Sequence, residues 1–279
     1  MMTGMIKYML KALMSLDTRS INGLSDSLKG HNPTIYKIVT DLHSTAVLPI
    51  SAVVISIILV LELARNATHM EGDHQMGVKI IAATMFKSAL LVVAAQNSMM
   101  FLDAINEVST KIIAGISKTT NNKKYTPGEL PARVNKLIED AGTVDQAGLV
   151  MMLLLPFVIT IAAQVVIQVM VILRFAELYI MTAFASLPIA FLGHPDTKSM
   201  GISYLQKYAA VSMQAATLMM AVALYSKFIN FSGQFASIGA KQSLNDWMFT
   251  NYTQFVICPV LLMILILSSG KFAKAIVGQ

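Results

Sequence analysis

Charged residues are scarce in this chain: Asp, Glu, Lys and Arg make up 13% of its 279 residues, against about 25% in a soluble domain. Together with an apolar share of 55% and a mean hydropathy of +0.63, this excludes an ordinary soluble globular protein. Cysteine is nearly absent. Cys258 stands alone, which excludes an intramolecular disulfide framework and any site built on several thiolates. Set in an apolar stretch, it reads as a small packing residue. Also missing are a Gly-rich phosphate loop, a His-Glu-x-x-His pair and a nucleophile elbow, so no catalytic constellation is present. His69 and His74 enclose Glu71 and Asp73, but a charged hairpin loop in water is the plain reading there and a metal site the remote one. No removable signal peptide is expected, because Lys7 and Lys11 interrupt the first apolar stretch and Asp17-Thr18-Arg19 follows it.

What the chain does have is apolar blocks, at 46–64, 79–102, 147–173, 175–193, 208–230 and 254–269. Most reach the roughly 17–25 residues that a helix needs to cross a bilayer. Leu173-Arg174-Phe175-Ala176-Glu177 carries no turn signal, so 147–187 also reads as one helix ending where Pro188 breaks it. The expected fold is therefore all-α, a polytopic membrane protein with five or six transmembrane helices. An N-terminal amphipathic helix precedes them: Ile6, Met9, Leu10, Leu13 and Met14 recur at steps of three and four, which suits a helix lying in the headgroup plane. Residues 17–45 are polar, with Gly23, Gly30 and Asn32-Pro33 as breakers. Trp247, Phe249 and Tyr252 extend the last segment as an aromatic anchor at the interface. The linear divisions are 1–45, an N-terminal region; 46–102, a first hairpin; 103–146, an amphipathic helix and hydrophilic loop; and 147–279, a helical bundle with a short charged tail.

Lys and Arg set orientation. With six spans, 15 of the 21 fall on the side of the N-terminus and the 103–146 loop and five on the other, with Lys87 inside a span, so both termini are expected in the cytoplasm. With five spans the split is 13 against 6, and the N-terminus stays inside.

Polar groups at membrane depth are expensive there and mark packing or function. Lys87 shares a helix face with Thr84, Ala94, Ala95 and Ser98, which reads either as a water-accessible lining or as a face that pairs Lys87 with Glu62. The pair is the favoured reading, since an axial offset near 10 Å is within reach of a lysine stem. Gln164 and Gln168, at i and i+4, read as helix–helix glue. Arg174 and Glu177, in the less favourable order for pairing on one helix, are expected to find partners on other helices. Ala209, Ser212, Ala216, Ala223 and Ser226 form one small-residue face that lets another helix, or another copy of the chain, approach closely.

Three stretches together resemble the TrbL-like polytopic channel components of type IV secretion and conjugation machines, in particular the branch found in Gram-positive conjugative elements. They are Arg174-Phe175-Ala176-Glu177-Leu178-Tyr179 running on to Pro188; Phe86-Lys87-Ser88 with Asp103-Ala104-Ile105; and Ser268-Ser269-Gly270-Lys271-Phe272-Ala273-Lys274. The resemblance implies a non-enzymatic subunit of the bacterial cytoplasmic membrane that supports transfer of a DNA–protein substrate. It implies no cofactor beyond lipid contacts. Implied partners are further copies in a ring, with five as one candidate number, pilin-like and bitopic secretion subunits, and the assembly and coupling ATPases; direct nucleic-acid contact stays open. Relatives in Gram-negative systems carry an extracytoplasmic N-terminus and central loop, opposite to the charge count here. The rival readings are a secondary transporter and a purely structural membrane scaffold. A transporter should show ion-coordinating carboxylates near the bilayer midplane.

Overall fold

The computed structural model describes residues 2–14, 23, 26–68, 74–119, 132–231 and 243–279, with side chains for 2–13, 23, 26–67, 77–119, 134–225 and 243–279. Among the described residues all regular structure is helical: α1 (Met2–Met14), α2 (Leu28–His31), α3 (Pro33–Leu42), α4 (Leu48–Thr68), α5 (His74–Gln96), α6 (Ser98–Thr119), α7 (Ala132–Asp140), α8 (Thr143–Ala183), α9 (Ser186–Ala190), α10 (Lys198–Phe231) and α11 (Leu244–Val277). Among the described residues, five stretches are long and apolar enough to cross a membrane: Pro33–Ala67, Gly77–Gln96, Thr143–Ala183, Lys198–Tyr225 and Leu244–Val277. The chain is an all-α protein of the multi-pass membrane class.

The two apolar blocks around Arg174 are one helix rather than two spans. At 41 residues, α8 is roughly 60 Å long at about 1.5 Å per residue, twice the hydrocarbon thickness of about 30 Å. It stops at Ala183, earlier than Pro188 itself. A proline ring collides with the carbonyl four residues back, here that of Phe184, and the helix breaks just ahead of that peptide, whereas Pro156 is accommodated inside α8. The Phe184 carbonyl instead accepts the Leu187 N–H at 3.3 Å, and Pro188 sits within the short α9. Among the described residues the span-length stretches number five and not six, so the expectation of two cytoplasmic termini loses the span count it rested on.

Asn32-Pro33 is a helix start and not a breaker. The Asn32 side chain accepts the N–H groups of Thr34 (3.1 Å) and Ile35 (3.0 Å), and Pro33 occupies the first helical position, where no N–H is needed. From there α3 runs through a π turn, His43–Val47, into α4. His43, the first residue of that turn, keeps its N–H bond to the Val39 carbonyl and is buried.

The chain divides into two compact units, each discontinuous in sequence, so they cut across the linear blocks 46–102 and 147–279. The first comprises residues 1–25, 112–173 and 214–272. In it the apolar face of α1 (Ile6, Met9, Leu10, Leu13) is buried against Val134 and Ile138 of α7, Leu149 and Leu153 of α8, and Trp247 of α11. Lys7 pairs with Glu139 beside this seam. The amphipathic helix expected to lie in the headgroup plane thus spends its apolar face on protein, and Trp247, expected as an interface anchor, is a core residue set edge-on to Phe255. A periodic apolar stripe satisfies either partner equally, and only tertiary packing distinguishes them.

The second unit comprises residues 26–111, 174–213 and 273–279. Its centre is the α4–α5 hairpin with α9 laid against it, where Ile55, Ala95, Ile189 and Ala190 form a small apolar core.

Candidate functional site

Within the second unit, the α4–α5 hairpin gathers its charges at one end. Glu62 Oε1 lies 3.6 Å from Lys87 Nζ, and Glu62 Oε2 lies 3.7 Å from His194 Nε2. Both helices supply one charge because Glu62 and Lys87 stand at similar depth on either side of the connecting loop. The Asn66 side-chain amide donates to the Thr84 hydroxyl at 2.7 Å beside them. His194 reaches the pair from the connection between α9 and α10. Gly193 brings it there, since a Cβ at that position would stand 2.8 Å from Leu91 and 2.9 Å from Ile58. The Asp196 N–H donates to His194 Nδ1 at 3.3 Å, and Asp196 Oδ2 lies 3.5 Å from the same nitrogen. One carboxylate, 15% exposed in its side chain, therefore faces two basic groups at ion-pair distance while its Oε2 accepts no hydrogen bond, and Lys87 remains about half exposed.

This shared carboxylate predicts non-additive mutational effects. Lys87→Ala and His194→Ala each leave Glu62 one partner and are expected to cost about 1 kcal/mol of stability, the range of exposed or half-exposed pairs. The double variant strands the carboxylate and is expected to cost about 3 kcal/mol. Melting temperatures of the four proteins close the cycle; additive losses would show that the two contacts are independent.

A second polar group stitches the break after α8. Ending the helix frees its last carbonyls, and those of Met181, Thr182 and Ala183 find a side chain or turn N–H. His43 Nδ1 donates to the Ala183 carbonyl at 3.1 Å, and its Nε2 accepts the Ser98 hydroxyl at 3.2 Å. The Tyr204 hydroxyl donates to the Met181 carbonyl. Ser51 donates to the Val47 carbonyl at 2.7 Å, so the Ser186 hydroxyl is the donor across the 2.5 Å gap to Ser51. Sequence reasoning missed His43, His194 and Tyr204. The one local signal was the Asn32-Pro33 cap, which would have placed His43 on a helix.

The stripe of Thr84, Ala95 and Ser98 beside Lys87 faces protein: Thr84 bonds Asn66, Ala95 is core, and Ser98 bonds His43. The small-residue face of α10 is also covered within the chain. The Ser212 hydroxyl donates to Asn106 Oδ1 of α6 at 3.2 Å, and the Ser109 hydroxyl donates to the Ser212 carbonyl at 2.6 Å. Ala216 and Ala223 are buried and Ala209 is partly so; the Ser226 side chain lies outside the described residues. The expected self-association face is thus occupied by the chain's own helices, because small residues admit any close neighbour.

On α8, Gln164 is half-buried and Gln168 is exposed one turn on. Arg174 and Glu177, expected to pair with other helices, make no ion pair with a described residue; Arg174 is buried and Glu177 half-buried. Phe175 and Leu178 are buried, and Tyr179 donates its hydroxyl to the Leu28 carbonyl at 2.7 Å, docking α2 on α8. Pro188 is half-buried. At the far end of α11, Gly270 packs beside Gln214, while Lys271 and Lys274 are exposed. The His69–His74 loop lies outside the described residues, and among those described no three His, Cys, Asp or Glu side chains gather as a metal site.

Asp103 of α6, outside the five span-length stretches, accepts the Tyr36 hydroxyl at 3.2 Å. Burial pushes its carboxyl above the ordinary range, against the opposing pull of the Tyr36 bond and Lys29. A value raised on folding means that stability is greatest below the unfolded value, near pH 4, and falls as pH rises through the folded one. Asp103→Asn is therefore expected to melt slightly higher than wild type at pH 7 and equally at pH 3.5. A variant that melts lower at pH 7 would contradict this.

The comparisons with known proteins can be set against this geometry. No curated protein matches the chain. The family described as TrbL/VirB6 plasmid conjugal transfer like protein matches residues 22–186, from ahead of α2 through the α8 break to Ser186. That is more than half of the chain and includes Glu62, Lys87, His43 and the Arg174–Tyr179 motif; the protein belongs to the TrbL/VirB6 conjugal transfer family and is a component of conjugal transfer, or type IV secretion, machinery.

Proposed function

We propose that the chain is a non-enzymatic channel or assembly subunit of a conjugative type IV secretion machine, supporting passage of a DNA–protein substrate across the cytoplasmic membrane. The observation that carries this reading is the family match over 22–186 on a chain with five bilayer-length helices. The α4–α5 hairpin supports it. It presents Ile57, Val60, Leu61, Met85 and Phe86 on its outside, a surface that only lipid or protein neighbours cover. Those neighbours include further copies in a ring, pilin-like and bitopic subunits, and the ATPases of the machine. A transporter is less well supported, since Glu62 already faces two basic groups, Lys87 and His194, at ion-pair distance. Tagged chain extracted from donor membranes should carry the other secretion subunits with it; recovery of the chain alone under mild extraction would oppose the reading.

On a five-span reading, the 13-to-6 division of Lys and Arg supports an N-terminus and a 103–146 loop in the cytoplasm and a C-terminal tail outside. The loop's six basic residues resist translocation and are drawn to anionic lipid by about 1 kcal/mol each. Its acids nearly balance them, so a protein partner such as the ATPase suits it better than DNA. A single cysteine at Asn122 in a Cys258→Ser background should escape a membrane-impermeant thiol reagent in intact cells. Labelling without permeabilisation would reverse the orientation and favour an extracytoplasmic contact with the pilin-like subunit.

A further inference from the structure

Arg174 is 2% exposed, and neither its Nε nor its Nη1 has a hydrogen-bond partner among the described residues. Its Cζ lies 4.9 Å from the centre of the Phe175 ring, which is itself stacked on His31 with ring centres 3.7 Å apart. On α10, Tyr208 is fully buried, lies within electrostatic reach of Arg174, and stands beside the Thr182 hydroxyl, which donates to the Leu178 carbonyl. Nε–H and the two Nη1 hydrogens of Arg174 are thus donors without an acceptor, whereas the Tyr208 O–H has the Thr182 hydroxyl beside it. Water can accept hydrogen bonds but cannot cancel the charge, and a buried cation without a counter-charge is strongly destabilising.

The carboxylates nearby do not supply that charge. Asp103, whose field also reaches Tyr208, is held by the Tyr36 hydroxyl and faces Lys29. Glu177 makes no ion pair with a described residue. We propose that Arg174 and Tyr208 form a binding site for a small monovalent inorganic anion of chloride's class. One guanidinium calls for one negative charge, an enclosed position excludes a lipid headgroup or an organic acid, and N–H and O–H donors are the ligands that a halide takes. The bound anion ties α8 to α10 two turns before the α8 break. This inference is independent of the proposed role in secretion.

The test is thermal unfolding of the purified full chain in lipid nanodiscs, at constant sodium and ionic strength, with chloride replaced stepwise by gluconate. About 150 mM chloride should raise the melting temperature of wild type by ~5 °C, as mass action requires of a ligand well above its Kd. Bromide and nitrate should act alike. Arg174→Gln should abolish the dependence, and Tyr208→Phe should raise the half-saturating chloride about tenfold. Chloride NMR line broadening on wild type alone gives a readout that survives if a variant fails to fold. A wild-type melting temperature indifferent to the anion, with no line broadening, overturns the site. So does an Asp103→Asn variant that melts as low as Arg174→Gln, because the counter-charge would then be internal.

Discussion

Gly201→Ala is expected to lower the melting temperature of the purified chain by roughly 5–10 °C, a cost of about 1–3 kcal/mol from overpacking. A Cβ on Gly201 of α10 would stand 2.6 Å from the Pro188 carbonyl oxygen, 2.6 Å from Leu192 Cδ2 and 2.8 Å from Leu192 Cγ. The leucine can turn away, but the carbonyl belongs to α9, which is fixed by the Ser51–Ser186 bond and the core around Ile189. Relief therefore requires moving α9 off the hairpin. Gly148→Ala is the control, since nothing lies within 4 Å of a Cβ there, and exchanging glycine for alanine inside a helix is neutral or stabilising. Equal melting of the two variants would show that α9 does not pack on α10 as described.

His43→Ala is expected to cost about 3–4 kcal/mol. The substitution strands the Ala183 carbonyl and the Ser98 hydroxyl, both buried, at about 1–3 kcal/mol for each unsatisfied group. Ser98→Ala removes only a donor that His43 accepts, leaves the Ala183 carbonyl satisfied, and is expected to cost about 1 kcal/mol. The ordering is the test. Melting curves in which Ser98→Ala is the more damaging would mean that His43 does not cap the α8 end.

How much of this was legible in the sequence follows from the range of each signal. The span-length helices were legible because a run of apolar residues is local, and so was the continuity of α8 through Leu173–Glu177, where no residue ends a helix. Helix α3 was missed because polar composition over 17–45 outweighed a two-residue start signal at Asn32-Pro33. The proximity of Glu62 and Lys87 followed from a hairpin, the simplest tertiary relation. His194 lies 132 positions from Glu62 and His43 lies 140 from Ala183, and no periodicity spans such distances. The faces of α1 and α10 show the complementary limit. An apolar stripe or a small-residue stripe states that something packs there, and α7, α8 and α11 in one case and α6 in the other turn out to be the neighbours.

Mating frequency is the most direct measure of whether this chain serves DNA transfer. Donor cells carrying an in-frame deletion of its coding sequence should lose transfer to background while still nicking the transferred strand, since the role proposed above is in passage and not in DNA processing. The wild-type chain supplied in trans should restore transfer, and His43→Ala should restore it only as far as it accumulates in the membrane. Undiminished transfer from donors verified to lack the protein would contradict the account.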